Sequence, residues 1–265
     1  MSTRQYTITE WKNNQRSSLA LDLIDEEPLA IRIQGKPYAV VMRTPGDDIA
    51  HAAGFCLTEG LVDHPDDIVQ LAACDGTDTN VVTVTLTPER QRLIAGHLDR
   101  RGYISQTSCG LCGKTLIDEL IQALTPVTDT TAIRLPDAQW HLEHLGRLQP
   151  VRRLSRAAHA AALLDVNLQP LVVAEDVGRH NALDKALGRL FLDGRLHHAK
   201  VVVLSSRISY ELVQKSARAQ IPILLALSRP THLAVDLATR LNISLAGLAK
   251  PPGMLLYCHP QRFLD

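Results

Sequence analysis

The sequence predicts an α/β protein in which an α+β N-terminal domain precedes an α/β C-terminal domain with a mixed sheet. In its last third, short β-branched runs alternate with amphipathic helices, which is typical of βαβαβ units with a partly parallel sheet. Earlier, a hairpin pattern is followed by helical periodicity, as in α+β domains. At 265 residues and 45% hydrophobic content, the chain can bury a large core in one or two domains.

The composition excludes several classes of protein. Lys+Arg and Asp+Glu both total 28, so no general basic surface points to a nucleic-acid partner. No apolar run approaches the ~18–20 residues that a membrane helix needs. The polar N-terminus lacks the apolar core of a secretory signal, so we expect a cytoplasmic protein without a membrane partner. Five cysteines, an odd number, argue against a disulfide framework.

The N-terminal part divides into a polar segment and an α+β domain. Residues 1–18 are polar and aperiodic, which predicts a mobile tail or a loosely attached strand. Residues 19–127 form the predicted N-terminal domain, and Cys56 falls on the apolar face of one of its helices. The predicted elements are, in order, a hairpin of residues 30–33 and 38–42, a helix from Asp47 to about Glu59, a strand over 81–86, a helix from Pro88 to near Gly102, and a helix over 114–124.

The domain boundary is predicted in the polar run of residues 125–131, where proline and small hydroxyl residues break the periodic pattern. The C-terminal domain then covers residues 128–265. Its predicted elements are an Ala-rich segment at 157–164 that fits a helix or a buried strand, a strand at 171–174, a helix at 180–191, a strand at 201–204, a helix at 210–219, a strand at 221–227, a helix at 231–241 and a strand at 243–248.

A CxxC pair is the most informative cysteine pattern. Cys109 and Cys112 lie in TSCGLCGK, directly before a predicted helix, where the positive helix terminus and Lys114 favour a thiolate. The pattern predicts reactive sulfur. Two alternatives stay open: buried structural cysteines, or half of a zinc site that would recruit Cys74, Cys258 or a histidine, since no second CxxC follows. We expect no metal site.

Three other motif families fit the cysteine region poorly. In zinc-dependent deaminases H-x-E precedes P-C-x-x-C, whereas here the only match, at residues 141–143, follows the cysteines and no proline precedes Cys109. A thioredoxin-like CxxC follows an early strand of a βαβ unit, unlike this one. The run at 113–115, Gly-Lys-Thr, lacks the first glycine and the preceding strand of a phosphate loop.

Polar turns follow three predicted strands, at residues 175–185, 205–211 and 248–253. Guanidinium groups, imidazoles and helix N-termini at such turns bind phosphate, sugar or base groups, and open α/β sheets bind ligands at the carboxyl ends of their strands. A solvated turn or a helix cap is the alternative in each case, and His159 fits a structural or a functional role equally. The candidate binding residues are Arg179, His180, Ser206, Arg207, Leu248, Ala249, Lys250, Pro251, Pro252 and Gly253.

Several long motifs, in a fixed order from about Glu26 to near the C-terminus, resemble the FdhD family of sulfur carriers for formate dehydrogenase. They are EEPLAIRIQGKPYAVVMRTPGDDIAHAAGFCLTEGL, SCGLCGK, HAAAL, EDVGRHNALDKALG, SSRISYELVQKSA, PTHLAVDLA and YCHPQR. Two motifs differ from the family pattern. Arg156 stands where a glycine is usual in T-G-x-x-H, and Pro252-Gly253 stands where a glycine and a basic residue can occur.

The resemblance implies a sulfur-transfer role. Such proteins accept sulfur as a persulfide from a cysteine desulfurase and pass it to the molybdenum of bis(molybdopterin guanine dinucleotide), before that cofactor enters formate dehydrogenase. The family's persulfide-bearing cysteine corresponds to Cys109, and Cys112 is a resolving or assisting thiol. The family's cofactor-contacting stretch falls on residues 248–253. The resemblance also implies a C-terminal domain of cytidine-deaminase-like topology and a homodimer.

The chemistry of the residues fits this role. We expect the Cys109 thiolate to attack the sulfane sulfur of a donor persulfide. The guanine nucleotide ends of the cofactor would rest on the polar turns, with Arg179 and Arg207 facing phosphates. Two other classes stay open: a non-catalytic chaperone that only binds and delivers the cofactor, and a zinc-structured CxxC redox protein.

Overall fold

The computed structural model describes residues 2–73, 80–100, 124–249 and 253–265, with side chains of the second range described to residue 95. These residues form fourteen strands and seven α-helices. The strands are β1 (Thr3–Lys12), β2 (Gln15–Ile24), β3 (Glu27–Ile33), β4 (Lys36–Arg43), β5 (Ile68–Ala73), β6 (Val81–Leu86), β7 (Ile133–Arg134), β8 (His159–Leu164), β9 (Pro170–Asp176), β10 (Val201–Leu204), β11 (Ile223–Ala226), β12 (Ser244–Leu248), β13 (Met254–Cys258) and β14 (Phe263–Leu264). The helices are α1 (Asp48–Thr58), α2 (Pro88–Arg100), α3 (Leu135–His144), α4 (Pro150–Ser155), α5 (Arg179–Leu192), α6 (Tyr210–Arg218) and α7 (His232–Arg240).

A four-stranded sheet organises the N-terminal part, in the order β4-β3-β6-β5. The predicted hairpin is the antiparallel pair β3–β4, and β6 joins β3 in parallel. Along β3, Leu29, Ile31 and Ile33 alternate inward, which is the period of a strand with one buried face. They share a core with α1, where Cys56 is fully buried as predicted.

The C-terminal part is built on a six-stranded sheet in the order β13-β12-β11-β10-β8-β9. Strands β10, β11 and β12 run parallel, while β8, β9 and β13 are antiparallel to their neighbours. The predicted mixed sheet is therefore confirmed. The Ala-rich segment is strand β8, not a helix, and residues 160–164 are buried throughout. Helices α5, α6 and α7 contribute to the core on one face of the sheet, and α3 to the core on the other.

The N-terminal residues form strands, so of the two alternatives predicted for residues 1–18, a mobile tail or a loosely attached strand, the structure shows the strand. β1 and β2 pair antiparallel over ten residues each, from Thr3 opposite Ile24 to Lys12 opposite Gln15. Asn13 and Asn14 form the turn, with φ of 51° and 59°, a left-handed conformation that asparagine tolerates well. The pairing into a hairpin was not predicted, because Thr and Ser occupy several strand positions and weaken the apolar alternation. The predicted division between residues 127 and 128 stays a prediction.

The two parts of the chain meet where α1 crosses α5 at Gly54 and Gly188. A Cβ on Gly54 would lie 1.9 Å from the Asp184 carbonyl oxygen, and one on Gly188 would lie 1.8 Å from the Ala50 carbonyl oxygen. Both distances are far inside van der Waals contact. The two helices therefore pack backbone to backbone, which only glycine permits at these positions.

Buried ion pairs flank this crossing. The Lys215 ammonium lies 2.8 Å from Asp184 Oδ2 and 2.9 Å from the Thr58 hydroxyl. The Lys185 ammonium lies 2.7 Å from Asp176 Oδ2 and donates to the Thr44 carbonyl oxygen at 2.6 Å. Each cluster combines groups from both parts of the chain, so each lysine has a partner from the N-terminal part: Thr58 at the end of α1 for Lys215, and Thr44 in the loop before α1 for Lys185.

His51 lies in the same interface and is fully buried. Neither ring nitrogen makes a hydrogen bond within the described part of the chain. Burial holds the pKa of His51 well below its usual value, and the charges of Lys185, Lys215 and Arg43 lower it further, while the nearby Asn181 amide opposes the shift. The imidazole is therefore neutral in the folded protein near neutral pH.

No helix in the described ranges is long and apolar enough to cross a membrane.

We predict that Gly188→Ala destabilises the protein by about 1–3 kcal/mol or more, because the new methyl must push the α1 backbone away. Urea unfolding measures the loss. Gly146→Ala is the matched control, since a Cβ there has no heavy atom within 4 Å, and its effect should stay within about 0.5 kcal/mol. Equal stability of the two variants would contradict the close crossing.

We predict that His51 makes the protein less stable as the pH falls through about 6.5, the usual histidine pKa. Below that pH the unfolded chain protonates this imidazole and the folded chain does not, so the free energy of unfolding decreases by up to about 1.4 kcal/mol per pH unit. His51→Gln should flatten the slope measured by urea unfolding between pH 7.5 and 5.5. His232→Gln removes an exposed imidazole and should leave the slope unchanged; the opposite pattern would refute the assignment.

Candidate functional site

The polar turns of the C-terminal sheet lie along one edge, the one formed by the carboxyl ends of its parallel strands. Strands β10, β11 and β12 are parallel, so their carboxyl ends lie side by side. Strand β9 ends at the same edge, because β8 pairs antiparallel with both β9 and β10, placing His159 opposite Asp176 and Ala161 opposite Leu204. The turns after β9, β10 and β12 therefore lie at the same edge of the sheet, and their use as a common binding site stays a prediction.

The turn after β9 is fixed to the N-terminal part through Asp176. Its Oδ1 accepts hydrogen bonds from the Gly178 amide at 2.8 Å and the Asn181 side chain at 2.9 Å. Its Oδ2 accepts from the Thr44 amide at 3.0 Å, and the Thr44 hydroxyl accepts from the Val177 amide at 3.0 Å. Asp176 and Asn181 are therefore occupied in positioning the turn.

His180 joins this turn to the next one. Its Nε2 lies 2.6 Å from Glu211 Oε2 and 3.1 Å from the Ser209 hydroxyl. The hydrogen bond from His180 is the main reason that the pKa of Glu211 lies below its usual value. This contact joins the N-terminus of α5 to the N-terminus of α6 at this edge of the sheet.

Arg179 and Arg207 lie close together without a carboxylate partner. Neither forms a salt bridge with a described residue, and the half-buried Arg179 Nε has no hydrogen bond there. Burial lowers the pKa of Arg179, and the charge of Arg207 lowers it further against the opposing effect of Glu211. Two neighbouring guanidinium groups that repel each other favour a bound anion, which relieves the repulsion and accepts their hydrogen bonds.

Arg152 extends the positive character of the edge, and the imidazole of His159 lies beside it in its neutral form. The Nδ1 of His159 is buried and has no hydrogen bond among the described residues. Burial and then the charges of Arg179 and Arg152 lower the pKa of His159. Arg152 is fixed nearby, since its Nη1 donates to the Ala158 carbonyl oxygen at 3.2 Å. Sequence reasoning missed Arg152 because only the tertiary fold brings α4 to this edge.

Two helix N-termini at the edge lack side-chain caps. Neither Gly178 before α5 nor Ser209 before α6 accepts a capping hydrogen bond from its helix. By contrast, the Thr231 hydroxyl caps α7 by accepting from the Ala234 amide at 3.3 Å. Uncapped N–H groups carry partial positive charge and bind anions. These N–H groups add to the positive charge of the two arginines and do not define a site by themselves.

The other predicted binding residues belong to the turns at this edge. Ser206 is buried, and its hydroxyl donates to the Arg207 carbonyl oxygen at 2.9 Å. Leu248 ends β12, and the Ala249 amide donates to the Gly253 carbonyl oxygen at 2.9 Å, which closes the third turn. Lys250, Pro251 and Pro252 lie outside the described residues. Ligand contact by any of these residues stays a prediction.

The CxxC pair, Cys109 and Cys112, also lies outside the described residues, as does Cys74. Cys56 and Cys258 are buried free thiols. Burial is the main reason that the pKa of each lies above its usual value, so both are poor nucleophiles at neutral pH. Within the described ranges, no three His, Cys, Asp or Glu residues are placed to hold a metal ion.

The fold and this edge define an α/β protein with a mixed sheet and a cluster of positively charged groups at the carboxyl ends of its parallel strands. Comparison with known proteins gives the family. The FdhD/NarQ family pattern matches residues 24–264, so the chain belongs to the FdhD/NarQ family.

Curated relatives agree with this assignment, and a solved structure shares the fold. The chain is 40% identical over 250 residues to a sulfur carrier protein FdhD of Streptomyces avermitilis, covering 91% of this chain and 88% of the relative. It is 41% identical, with the same coverage, to one of Streptomyces coelicolor. The crystal structure of a candidate formate dehydrogenase accessory protein from Desulfotalea psychrophila has the same fold, with a TM-score of 0.79, 21% identity and full coverage of both chains.

We predict that Arg179→Gln and Arg207→Gln each weaken the binding of inorganic pyrophosphate by roughly 10–100-fold, the effect of losing a charge-assisted hydrogen bond. Isothermal titration calorimetry at constant salt measures the affinity. Arg195→Gln is the control, because Arg195 is exposed and follows the opposite end of α5. Unchanged affinity in the first two variants, or an equal loss in the control, would contradict an anion site at this edge.

Proposed function

We propose that this protein is a sulfur carrier for formate dehydrogenase, which takes sulfur from a cysteine desulfurase onto Cys109 and delivers it to bis(molybdopterin guanine dinucleotide). The observation that carries the proposal is the unpaired Arg179–Arg207 couple at the edge of the sheet, a suitable site for a pyrophosphate group. Family membership and the names of the curated relatives support the sulfur-carrier role. We also place the reaction in the cytoplasm, where a reducing environment keeps thiols free.

The first step is a thiolate exchange at Cys109. Its thiolate attacks the terminal sulfur of the donor's persulfide, forms a new S–S bond, and releases the donor cysteine as a thiolate. No net oxidation occurs, because one S–S bond replaces another. Of the five cysteines, Cys56 and Cys258 are buried with raised pKa values, which supports assigning the reaction to the CxxC pair.

The second step releases sulfur at the level of sulfide. The thiolate of Cys112 attacks the inner sulfur of the Cys109 persulfide, forms a Cys109–Cys112 disulfide and expels hydrosulfide. The two thiols supply the two electrons that reduce sulfane sulfur to sulfide. Hydrosulfide then replaces an oxygen ligand of the molybdenum, which leaves as water or hydroxide, and a cellular thiol reduces the disulfide for the next cycle.

The cofactor is the substrate of this reaction, and its nucleotide ends are the parts that the sheet edge can hold. Arg179 and Arg207 would donate to the pyrophosphate oxygens, together with the uncapped N–H groups of α5 and α6. His180, Ser206 and the turn of residues 248–253 would line the remainder. Formate dehydrogenase is the acceptor of the sulfurated cofactor.

We predict that incubation with a cysteine desulfurase and cysteine adds one sulfur, about 32 Da, to the intact protein, as sulfane transfer to a thiolate requires. Cys109→Ala should abolish the adduct, and Cys112→Ala should retain it because Cys112 acts after loading. Intact-mass spectrometry under non-reducing conditions measures both. Cys258→Ala is the control for a buried thiol.

The outcomes separate the candidate functions. A wild-type protein without the adduct, or an undiminished adduct in Cys109→Ala, would overturn the carrier assignment and leave a cofactor chaperone that needs no persulfide. A zinc-structured CxxC protein would instead carry stoichiometric zinc after purification and lose structure with a chelator. Elemental analysis of the purified chain therefore belongs in the same experiment.

A further inference from the structure

Four arginines lie within a stretch of ten residues around helix α4, without an acid among them. From Glu143 to Asp165 no aspartate or glutamate intervenes. The four side chains are exposed, and none forms a salt bridge with a described residue, unlike the paired arginines elsewhere in the chain. In a chain of zero formal net charge, they form a local excess of positive charge, here named the arginine patch: Arg147, Arg152, Arg153 and Arg156.

Neighbouring acids are occupied by backbone amides. Glu175, near the end of β9, accepts the Val151 and Arg152 amides at 2.8 and 2.9 Å. Its carboxylate holds the first turn of α4 against the sheet and forms no salt bridge in the described part of the chain. Asp165, the next acid after the patch, accepts two backbone amides of its own turn at 2.8 Å each. The guanidinium groups of the patch are therefore available to carboxylates of another molecule.

The backbone of Arg156 is in a conformation that suits glycine. Its φ and ψ are 58° and 10°, the left-handed conformation in which many helices end. Glycine, the usual residue here in the family pattern, adopts it without strain, whereas a long side chain is disfavoured. An arginine held in this conformation indicates a role for its exposed side chain rather than for its backbone.

Two leucines give the patch an apolar component. Leu148 is 37% exposed and Leu154 is 60% exposed, and each directly follows an arginine of the patch. Arginine is enriched at protein–protein interfaces and pairs with carboxylates in a bidentate way. Apolar area beside the guanidinium groups adds affinity when a partner covers it. The composition therefore fits an acidic protein surface that also carries apolar side chains.

Two other anionic partners fit the patch less well. Helix α4 has six residues, whereas a helix that lies in a membrane surface needs a long apolar face. Proteins that bind single-stranded nucleic acid combine a basic groove with aromatic side chains, and residues 144–164 contain no Phe, Tyr or Trp. An acidic protein is the partner that the patch favours.

The arginine patch borders the edge of the sheet that holds Arg179 and Arg207. The Arg152 Nη1 donates to the Ala158 carbonyl oxygen at 3.2 Å, and Ala158 directly precedes β8, which begins at that edge. A protein that takes the cofactor from this edge must approach the edge from outside and contact its surroundings. In the proposed function that protein is formate dehydrogenase, whereas the sulfur donor acts on Cys109 and has no step at the cofactor.

We propose that the arginine patch is the docking surface for cofactor-free formate dehydrogenase, which contacts it through an acidic segment. Carboxylates of that segment pair with the guanidinium groups, and its apolar side chains cover Leu148 and Leu154. The identity of the partner rests on the proposed function. The contact positions the acceptor beside the anion site without using Arg179 or Arg207. As an electrostatic contact between exposed groups, it weakens as salt is added.

Charge reversal tests the surface in the full-length protein. Arg147→Glu and Arg153→Glu each place a carboxylate opposite the acidic segment and should weaken binding to cofactor-free formate dehydrogenase about tenfold or more. Biolayer interferometry at about 50 mM salt, where screening is weak, measures the affinity. Arg195→Glu is the matched control, because Arg195 is likewise exposed but follows the opposite end of α5, and it should leave the affinity unchanged.

Removal of the Arg156 side chain separates binding from folding. Arg156→Gly should weaken the same interaction severalfold, because one guanidinium group is lost. Its midpoint in urea should equal or exceed that of the wild type, since glycine adopts the left-handed backbone without strain. A weaker affinity in a protein of undiminished stability cannot come from misfolding. Unchanged affinity in Arg156→Gly would contradict a role for this side chain.

The other partners are tested with the same variants. The wild type should not sediment with vesicles of phosphatidylserine and phosphatidylcholine, and Arg153→Glu should bind a cysteine desulfurase as the wild type does. Four results would overturn the proposal: no binding of the wild type to formate dehydrogenase, unchanged affinity in both charge-reversal variants, an equal loss in Arg195→Glu, or a loss confined to vesicles or to the desulfurase.

Sulfur loading distinguishes this proposal from the proposed function. Arg147→Glu, Arg153→Glu and Arg156→Gly should still acquire the sulfur adduct and bind pyrophosphate, because none of these side chains takes part in either step. Normal loading with unchanged affinity for formate dehydrogenase would overturn the docking surface alone. A wild type that never acquires sulfur, while the variants still lose affinity for formate dehydrogenase, would overturn the carrier function and leave the docking surface in place.

Discussion

The close crossing of α1 and α5 is the contact on which the rest of the structure depends. Gly54 and Gly188 let the two backbones touch, and this sets the spacing between the two sheets. At that spacing the Thr58 hydroxyl reaches Lys215, and the Thr44 amide reaches Asp176. A bulkier residue at either glycine would separate the helices and break both sets of contacts, because packed interiors transmit displacement.

The crossing also determines the geometry of the functional edge. Asp176 ends β9, and α5 begins three residues later at Arg179, so whatever fixes Asp176 also fixes the first turn of α5. The N-terminal part does this through Thr44 and through the Met42 carbonyl oxygen, which accepts a hydrogen bond from Asn181 at 2.7 Å. The buried Lys185–Asp176 pair contributes more to a single orientation than to net stability, since desolvation offsets much of a buried ion pair's attraction.

Sequence patterns predicted the elements whose signal is local. The buried strands of the C-terminal sheet and the turns that follow them appear as β-branched runs and polar clusters, and in the structure these turns lie at one edge of the sheet. For residues 1–18 the sequence left a mobile tail and a loosely attached strand as alternatives and did not predict the hairpin of residues 3–24, because threonine and serine weaken the alternation. The roles of Arg152 and of Gly54 were not predictable, since each depends on a neighbour that is distant along the chain: Arg152 on Arg179, and Gly54 on α5. Whether an arginine in a polar turn is paired or free is likewise a tertiary property.

A chain with zero formal net charge can still present a positive site, because its nearby carboxylates are occupied. Glu175 accepts the Val151 and Arg152 amides at 2.8 and 2.9 Å, Asp176 accepts backbone amides and pairs with Lys185, and Glu211 pairs with His180. Each acid accepts hydrogen bonds from internal donors, whereas Arg179 and Arg207 form no salt bridge with a described residue and only Glu211 partly offsets the charge of Arg179. The sequence motif therefore contains both signs of charge, and the fold separates them. The resulting local potential attracts a phosphate-bearing ligand without the nonspecific binding that a generally basic surface would cause.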